Sequence, residues 1–382
     1  MSRFFCPVCG NKDPKFIGYL NGKPYCRRCI SFCGEKADEH FIVNDKIESS
    51  LDYPLTEKQQ AISDEIIENY KKHFNQLLYA VCGAGKTELV FGVIEYALQN
   101  KLRVGFAIPR RDVVIELAMR IKSAFKSAKV VSLYGGNTDE IEGDIICLTT
   151  HQLFRFDHYF DLLILDELDA FPYKENVVLQ NIFLRSVRGN YLLMSATPSE
   201  ELVNEFKSSE DKKMLNLFVR FHGKPIPVPN IIIIHFDVFK LIYIALKLRS
   251  YLKVQKKVLI FVPTISLAKK VYNFLKNLAK PGYFLSSQSK NRLEIIQDFR
   301  KNKYEYLVTT AVLERGVTLR NLQVIIYKAD EEIYNSQALV QISGRVGRKA
   351  DCPYGDVIYV ASRKTVEMEK SINQIIEANR HL

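Results

Sequence analysis

The stretch LLYAVCGAGKT, residues 77–87, decides the fold because it joins an apolar strand to a glycine-rich loop. Leu77–Val81 has the length and apolar character of a buried strand. Beyond Thr87 the apolar residues recur at helical spacing, so the loop opens a helix. A strand, a glycine loop ending in Lys-Thr and a helix, in this order, predict a phosphate-binding loop in a parallel α/β sheet.

Each residue type in this loop suits a phosphate ligand. Gly83 and Gly85 let backbone N–H groups turn towards phosphate oxygens, and the start of the next helix adds its dipole. Lys86 is expected to reach the β- and γ-phosphates, and the Thr87 hydroxyl to hold Mg²⁺. Ala80 stands where the usual pattern has its first glycine, and alanine is small enough for the bend. The loop therefore predicts ATP and Mg²⁺ as ligands.

Two further strands end in polar residues that complete such a site. The strand Tyr159–Leu165 runs into Asp166 and Glu167. Asp166 is expected to complete the Mg²⁺ shell, and Glu167 to orient and deprotonate the attacking water. Alone, this acidic pair is a weak signal, but a phosphate loop upstream makes it strong. The strand Tyr191–Met194 then leads into Ser195–Thr197, whose hydroxyls can relay the phosphate state to a nucleic-acid groove.

The alternation of strands and helices predicts an α/β protein built from two lobes, each a parallel sheet with crossover helices. The segment His222–Asn230 contains three closely spaced prolines, which cannot continue a helix or a central strand, so we expect the hinge there. The predicted domains are residues 1–50, 51–224 and 225–382. No phosphate loop recurs in the last domain, which indicates that one lobe binds the nucleotide and the other completes the site.

Four cysteines near the N-terminus, Cys6, Cys9, Cys26 and Cys29, form two CxxC pairs. Paired CxxC turns can place four thiolates around one ion, the shell that structural zinc prefers. A filled shell leaves no open position, so we assign zinc a structural role in a small ribbon. An iron–sulfur cluster is the alternative that this spacing favours less. Cys33 is left over and is interpreted as a spare thiol.

Two tyrosines, Tyr19 and Tyr25, are candidates for a minimal core of this ribbon. Two readings of its basic residues remain open. Lys23, Arg27 and Arg28 could touch phosphate, or the ribbon could simply pack against the next domain.

Composition and charge exclude some classes of protein. No apolar run approaches the roughly 18–20 residues of a membrane span, and the N-terminus lacks a secretory signal, so a cytoplasmic protein is expected. The net charge is +11, and in residues 229–382 Lys and Arg outnumber Asp and Glu by 25 to 13. A basic lobe favours a polyanion such as nucleic acid, although a merely solubilising surface charge is the alternative.

The segment QISGRVGR, residues 341–348, is the candidate for the completing residues of the second lobe. Arg345 and Arg348 are three residues apart and would share one face of a helix. An arginine directed at a transferring phosphoryl group stabilises its transition state by roughly 10³–10⁵ in rate. A basic surface pair is the alternative, but the whole motif is more specific than two arginines.

Taken together, these motifs resemble those of superfamily 2 helicases. The series comprises LTEKQ at residues 55–59, AVCGAGKT at 80–87, IPRR at 108–111, LTTHQ at 148–152, DELD at 166–169, SAT at 195–197, FVPT at 261–264, TTAVLERGVT at 309–318, and QISGRVGR. With the four-cysteine module included, the chain most resembles the late competence ComFA family. That resemblance implies two RecA-like lobes in an ATPase that drives single-stranded DNA inward through a membrane channel.

The resemblance also implies roles for further residues, partners and location. Gln59 would read the adenine edge, and Gly316 and Gln341 would lie near the γ-phosphate. The residues implied to line the nucleic-acid backbone are Pro109, Arg110, Thr150, Thr264 and Thr310. The implied partners are single-stranded DNA, ATP, the membrane DNA-uptake channel and other competence proteins. A position at the inner face of the membrane would follow.

Two other functions compete with DNA uptake. One is a primosomal-type helicase that unwinds duplexes. The other, from a different class, is a zinc-dependent nucleic-acid binding protein with a non-catalytic ATPase core, which the intact Lys86, Glu167 and Arg345 disfavour. Because DELD differs from the DExH of many DNA-directed relatives, the motif leaves RNA open as a substrate.

Overall fold

The computed structural model describes residues 4–32, 34–38, 43, 47–51, 53–279, 281–286, 289, 291–310 and 319–382. It divides into two compact units. Unit 1 comprises Met1–Ala80 and Gly85–Leu217, and unit 2 comprises Val81–Ala84 and Phe218–Leu382. The division after Leu217 lies a few residues before the predicted domain boundary at residue 224.

The N-terminal part of unit 1 is a short antiparallel hairpin. Strands β1 (Ile17–Leu20) and β2 (Lys23–Cys26) pair with Ile17 opposite Cys26. The turn uses Asn21 and Gly22, both with positive φ, as a two-residue hairpin requires. Tyr25 covers Gly18, but Tyr19 is 71% exposed, so the prediction that Tyr19 forms core was wrong. The reason is the strand period of two, which turns Tyr19 and its neighbour Gly18 to opposite faces.

The main body of unit 1 is a parallel sheet flanked by helices. Within the described residues its strand order is β5-β6-β4-β7-β8-β3-β9. The strands are β3 (Asn75–Ala80), β4 (Val104–Ile108), β5 (Val130–Leu133), β6 (Ile145–Thr149), β7 (Phe160–Asp166), β8 (Val187–Ser195) and β9 (Lys212–Leu217). The helices are α1 (Glu57–Lys71), α2 (Lys86–Leu89), α3 (Phe91–Gln99), α4 (Arg111–Ala124), α5 (Val177–Ser186) and α6 (Glu200–Ser208).

The core of unit 1 follows from this layering. Every residue of β4 and β6 is buried, as expected for central parallel strands that helices cover on both faces. The α1 helix begins with a capping box, in which Thr56 and Gln59 satisfy each other's backbone N–H groups. The strands predicted at β3, β7 and β8 are confirmed to within a few residues.

Unit 2 is a second parallel sheet with helices. Its described strands are ordered β10-β15-β14-β11-β13-β12. They are β10 (Asn230–Ile233), β11 (Lys257–Phe261), β12 (Gly282–Leu285), β13 (Tyr306–Thr309), β14 (Leu322–Tyr327) and β15 (Val357–Ala361). The helices are α7 (Asp237–Lys253), α8 (Ile265–Leu275), α9 (Arg292–Arg300), α10 (Ser336–Ser343) and α11 (Val366–Asn379).

Side chains of β11 alternate between two apolar layers of unit 2. Val258 and Ile260 belong to one layer, and Leu259 and Phe261 belong to the other. This alternation is what a strand buried on both faces requires. The fold class predicted from the sequence, two parallel-sheet α/β lobes, is confirmed. Among the described residues, no helix is both long enough and apolar enough to cross a membrane.

The close approach of β7 and β8 gives a test of this packing. A Cβ atom on Gly189 would lie 2.3 Å from the backbone oxygen of Asp161, whereas one on Gly135 would meet nothing within 4 Å. We expect Gly189→Ala to destabilise unit 1 by about 1–3 kcal/mol, because overpacking forces the strands apart. Thermal melting would detect this, with Gly135→Ala as the matched control. Equal melting temperatures for the two variants would contradict the described register.

Candidate nucleotide site and metal centre

The predicted phosphate loop lies in the predicted setting. It leaves β3 after Ala80, and Gly85 forms the N-cap of α2. Gly83 and Gly85 have φ values of 88° and 81°, which glycine adopts without strain. A Cβ on Gly85 would also lie 2.6 Å from the Gln59 side-chain nitrogen. The loop therefore needs glycine for its backbone shape and for its contact with Gln59, the residue implied to read adenine.

The acidic pair lies beside the lysine of this loop. Asp166 is the last residue of β7, and its Oδ1 is 3.9 Å from the Nζ of Lys86. The N–H of Glu167 donates to the same Asp166 oxygen at 2.8 Å. Glu167 has φ 58°, a conformation uncommon outside glycine that turns the chain sharply at the end of the strand. The loop and the acidic pair thus meet because parallel strands β3 and β7 end at one edge of the sheet.

This residue set suits a magnesium nucleotide. Hydroxyl and carboxylate oxygens are ligands that Mg²⁺ prefers, and Thr87 and Asp166 supply them. Lys86 supplies a positive charge for phosphate oxygens. Thr87 is buried at the start of α2, where the backbone fixes its position. The chemistry of these side chains therefore fits the ATP and Mg²⁺ expected from the sequence.

Asp169 joins the acidic loop to the end of β8. Its Oδ1 accepts a hydrogen bond from the Ser195 hydroxyl at 3.0 Å, and its Oδ2 accepts one from the Thr197 hydroxyl at 2.7 Å. Ser195 in turn accepts the Thr197 N–H at 2.9 Å. All three residues are buried. No role was predicted for Asp169 from the sequence, although its place as the fourth residue of DELD was a usable signal.

Residues predicted to contact nucleic acid in unit 1 also follow strand ends. Pro109 and Arg110 come directly after β4, and Arg110 is the N-cap residue of α4. Thr150 begins the 3₁₀ helix Thr150–Arg155, directly after β6. Pro109 and Thr150 are buried and Arg110 is half-buried. Of these side chains, Arg110 is therefore the most accessible to a ligand.

In unit 2 two predicted contact residues lie at corresponding strand ends. Thr264 follows β11 and caps α8, where its side chain accepts the Leu267 N–H. Thr310 follows β13 and is buried. Gly316, implied to lie near the γ-phosphate, is outside the described residues, as is Cys33.

The motif QISGRVGR is not one helix, and the prediction that Arg345 and Arg348 share a helical face was wrong. The helix α10 ends at Ser343, and Gln341 is buried in its last turn. The arginines lie in the turn that follows. Gly347 has φ 68°, which helical backbone cannot adopt, so a helix cannot continue through the whole motif. Arg345 is buried, and the Nε of Arg348 donates to the Gly344 oxygen at 3.0 Å.

The four predicted metal ligands converge. The sulfurs of Cys6, Cys9, Cys26 and Cys29 all lie within 4.8 Å of one another, and all four residues are buried. The Sγ atom of Cys6 is 3.4 Å from that of Cys29, and the Sγ atom of Cys9 is 3.6 Å from that of Cys26. Tetrahedral thiolates about 2.3 Å from a zinc ion would be about 3.8 Å apart, so the cluster fits that ion.

The cysteine module packs on the first sheet domain within unit 1. The Asn181 side chain of α5 donates to the Cys9 oxygen at 2.7 Å. The ring of Phe32 stacks on His151 with centroids 5.9 Å apart. Arg155 donates to the Glu35 oxygen at 2.8 Å. The module is thus attached to the same 3₁₀ helix that begins with Thr150.

Two family models match the chain. Residues 52–200 match "Type III restriction enzyme, res subunit", and residues 241–350 match "Helicase conserved C-terminal domain". The matched ranges contain the phosphate loop, the acidic loop and the arginine motif. They fit a helicase-type core of superfamily 2.

Two curated relatives extend over nearly the whole chain. Competence protein ComFA of Bacillus subtilis is 35% identical, covering 99% of this chain and 86% of the relative. The chain belongs to the ComFA family. Competence protein ComFA of Streptococcus pneumoniae is 32% identical, with 99% and 91% coverage. Since both alignments cover 99% of this chain, they extend over nearly all of the N-terminal region as well as the two sheets.

Solved structures agree on the fold. Dbp5 of S. cerevisiae bound to RNA and ADP BeF3 aligns with a TM-score of 0.63 at 15% identity, covering 86% of this chain and 92% of that one. With its helicase domains and ComFA membership, the chain is a helicase-type, DNA-dependent ATPase of competence. Its four-cysteine cluster can hold a metal ion.

The metal centre can be tested by removing one ligand. We expect Cys6→Ser to release zinc, because a three-thiolate shell holds the ion less tightly and the small module has little core to compensate. Metal analysis after dialysis would measure zinc per chain, and Cys352→Ser, outside the cluster, would serve as control. Undiminished zinc in Cys6→Ser would refute the ligand assignment. A visible absorption band from iron would point to an iron–sulfur cluster instead.

Asp169 offers a second test. In Asp169→Ala the hydroxyls of Ser195 and Thr197 lose their shared carboxylate, and hydrogen bonds to charged groups contribute about 1.5–3 kcal/mol. We expect the stimulation of ATP turnover by DNA to fall by about tenfold or more, since that range corresponds to a factor of ten to a hundred. The measurement is the ratio of turnover with and without single-stranded DNA. Glu201→Ala, an exposed carboxylate on α6, should keep the ratio of the unmodified chain. A normal ratio in Asp169→Ala would count against a relay from the nucleotide site to the nucleic-acid groove through Ser195 and Thr197.

Proposed function

We propose that this ComFA-family chain is an ATP-driven single-stranded DNA translocase that powers DNA uptake during competence. The observation that carries the proposal is the polar path along the first sheet edge. Lys86 and Asp166 lie together at one point of that edge, and Asp169 binds Ser195 and Thr197 at the next. Such a path can couple the state of a nucleotide to neighbouring loops that bind DNA.

In the proposed mechanism, the residues of the phosphate loop and the acidic pair bind and hydrolyse ATP. Lys86 holds phosphate oxygens, and Glu167 orients the attacking water and accepts its proton. Thr87 and Asp166 would hold Mg²⁺, which when bound offsets the negative charge of the phosphates. Gln59 recognises the adenine edge, and Gly316 and Gln341 lie near the γ-phosphate. Arg345 and Arg348 stabilise the charge of the transition state.

The nucleic-acid contacts come from loops at strand ends. Arg110 would bind a phosphate through its side chain, with Pro109 shaping the loop. Because the Thr150 and Thr310 side chains are buried, we propose that these segments contact the strand through backbone groups. Thr264 would do so at the start of α8. Positive charge concentrated in residues 229–382 adds a salt-dependent attraction to the DNA backbone.

The remaining parts of the proposal concern zinc, domains and partners. Zinc would be structural, because four thiolates fill its shell. The functional domains would be residues 1–50, 51–224 and 225–382. A DNA-uptake channel and other competence proteins would be partners, with the chain acting in the cytoplasm at the inner face of the membrane.

Translocation can be separated from duplex unwinding by two substrates. The first is single-stranded DNA with streptavidin bound to a terminal biotin, and the second is a forked duplex of the same sequence. We expect ATP-dependent displacement of streptavidin with little strand separation. Strand separation without streptavidin displacement would favour a primosomal-type helicase, and neither activity despite DNA binding would favour the non-catalytic alternative. An RNA strand in place of DNA tests the substrate preference.

Lys86→Ala separates hydrolysis from binding. We expect ATP turnover to be abolished because the β- and γ-phosphates lose their positive partner, while DNA binding without ATP is retained. Turnover and fluorescence anisotropy with labelled single-stranded DNA measure the two properties. An exposed lysine elsewhere in unit 1, in Lys58→Ala, provides the control. Normal turnover in Lys86→Ala would contradict the assigned site.

A further inference from the structure

A buried arginine of unit 2 is bound to the turn that carries the catalytic arginines. Arg220 is 2% exposed, and a buried charge is costly unless it is hydrogen-bonded. Its Nη1 donates to the carbonyl oxygens of Val346 and Gly347 at 2.8 and 2.9 Å. Its Nη2 donates to that of Gly344 at 3.1 Å. All three acceptors lie in residues 344–348, which we call the arginine turn.

The arginine turn needs these donors. It follows the end of α10, where backbone carbonyls have no partner within the helix. Buried carbonyls must be paired, and a cation is favoured at a helix C-terminus. The planar guanidinium of Arg220 presents several N–H groups in a fixed fork, so one side chain can bridge three oxygens. Lysine has one nitrogen and cannot reproduce that bridge.

Arg220 also lies near one of the arginines that it supports. Burial, with a smaller contribution from the positive charge of Arg348, lowers the pKa of Arg220 to about 10. Arg220 stays protonated at neutral pH. Gly344 accepts hydrogen bonds from both guanidiniums, at 3.1 Å from Arg220 and 3.0 Å from Arg348. The two side chains therefore share an anchor on the turn.

His222 forms a second support. Its Nε2 is 2.9 Å from the Gly347 oxygen, and its Nδ1 accepts the Lys224 N–H at 3.1 Å. This pattern assigns the neutral tautomer with the proton on Nε2. Burial lowers the pKa of His222, which also favours the neutral ring. Arg220 and His222, two residues apart in the chain, thus both bind the carbonyl oxygen of Gly347.

Gly347 shows how closely the turn is fitted. Its φ is 68°, and a Cβ there would lie 2.2 Å from the Pro353 oxygen and 3.2 Å from Arg220 Nη1. Backbone on one side and the guanidinium on the other leave no space for a side chain. The shape of the turn therefore depends on glycine and on Arg220 together.

We propose that Arg220, assisted by His222, is a positioning residue for ATP hydrolysis, fixing the arginine turn so that Arg345 and Arg348 meet the transition state correctly. This inference rests on the proposed catalytic role of those two arginines. Arg220 binds only backbone carbonyls in this turn, so it acts through the turn. Misplacing a catalytic group by about 1 Å can lower a rate by about 10²-fold, which sets the expected effect.

The test is a mutant cycle on ATP turnover in the full chain with saturating single-stranded DNA. We expect Arg220→Met to lower kcat by about 10²-fold while the KM for ATP is unchanged. The variant lacking both Arg345 and Arg348 side chains (Ala at each) should lose about 10³-fold or more. Adding Arg220→Met to that variant should cause no further loss, because residues acting as a unit are not additive. Arg380→Met, which removes an exposed arginine directly after α11, should behave like the unmodified chain.

Each outcome separates the inference from the proposed function. A normal kcat in Arg220→Met, with a severe loss in the double-alanine variant, would overturn the positioning role alone. If Arg220→Met lowered kcat further in the double-alanine variant, so that the two losses were additive, Arg220 would have a general structural role. That result would also overturn the positioning role. A normal kcat in the double-alanine variant would reject the proposed role of the arginines. Should thermal melting show that Arg220→Met is unfolded, Arg220→Lys keeps the charge and stem, and the same loss is expected of it.

Discussion

The convergence of parallel strand ends at one edge of the first sheet is the constraint on which the site depends. Strands β3, β7 and β8 contribute the phosphate loop, the acidic loop and the Ser-Ala-Thr segment, each at its carboxyl end. Because the strands are buried on both faces, their register is fixed by packing, and the polar residues beyond them have fixed positions. The carboxylate of Asp169 then joins two of these loops by hydrogen bonds.

Polar groups are also held in place by hydrogen bonds at the end of a helix in unit 2. When α10 ends at Ser343, its last carbonyls and those of the turn need donors. A buried guanidinium provides them, so the turn has one shape. If the arginines of this turn act in hydrolysis as proposed, they gain from such support, because electrostatic stabilisation depends on groups that do not have to reorganise during reaction.

Much of the fold and part of the site could be predicted from the sequence. The phosphate loop and acidic pair are local patterns next to apolar strands, and the four cysteines have characteristic spacing. Asp169 was missed because its function lies in contacts with Ser195 and Thr197, far along the chain. The prediction of a helix through Arg345 and Arg348 was wrong because residue spacing alone does not show that Gly347 has a positive φ, which a helix cannot accommodate. Arg220 lies just before the proline-containing segment His222–Asn230, and no sequence pattern indicates that it binds carbonyls more than a hundred residues away.

The residues at this sheet edge are proposed to hydrolyse ATP in response to DNA. Steady-state ATP turnover, measured while single-stranded DNA is titrated at low and moderate salt, tests it most directly. We expect low turnover without DNA, a saturable rise as DNA is added, and a midpoint that moves to higher DNA concentration as salt is raised. An ATP turnover rate that does not change when DNA is added would contradict this proposal. So would the absence of turnover although both ATP and DNA bind.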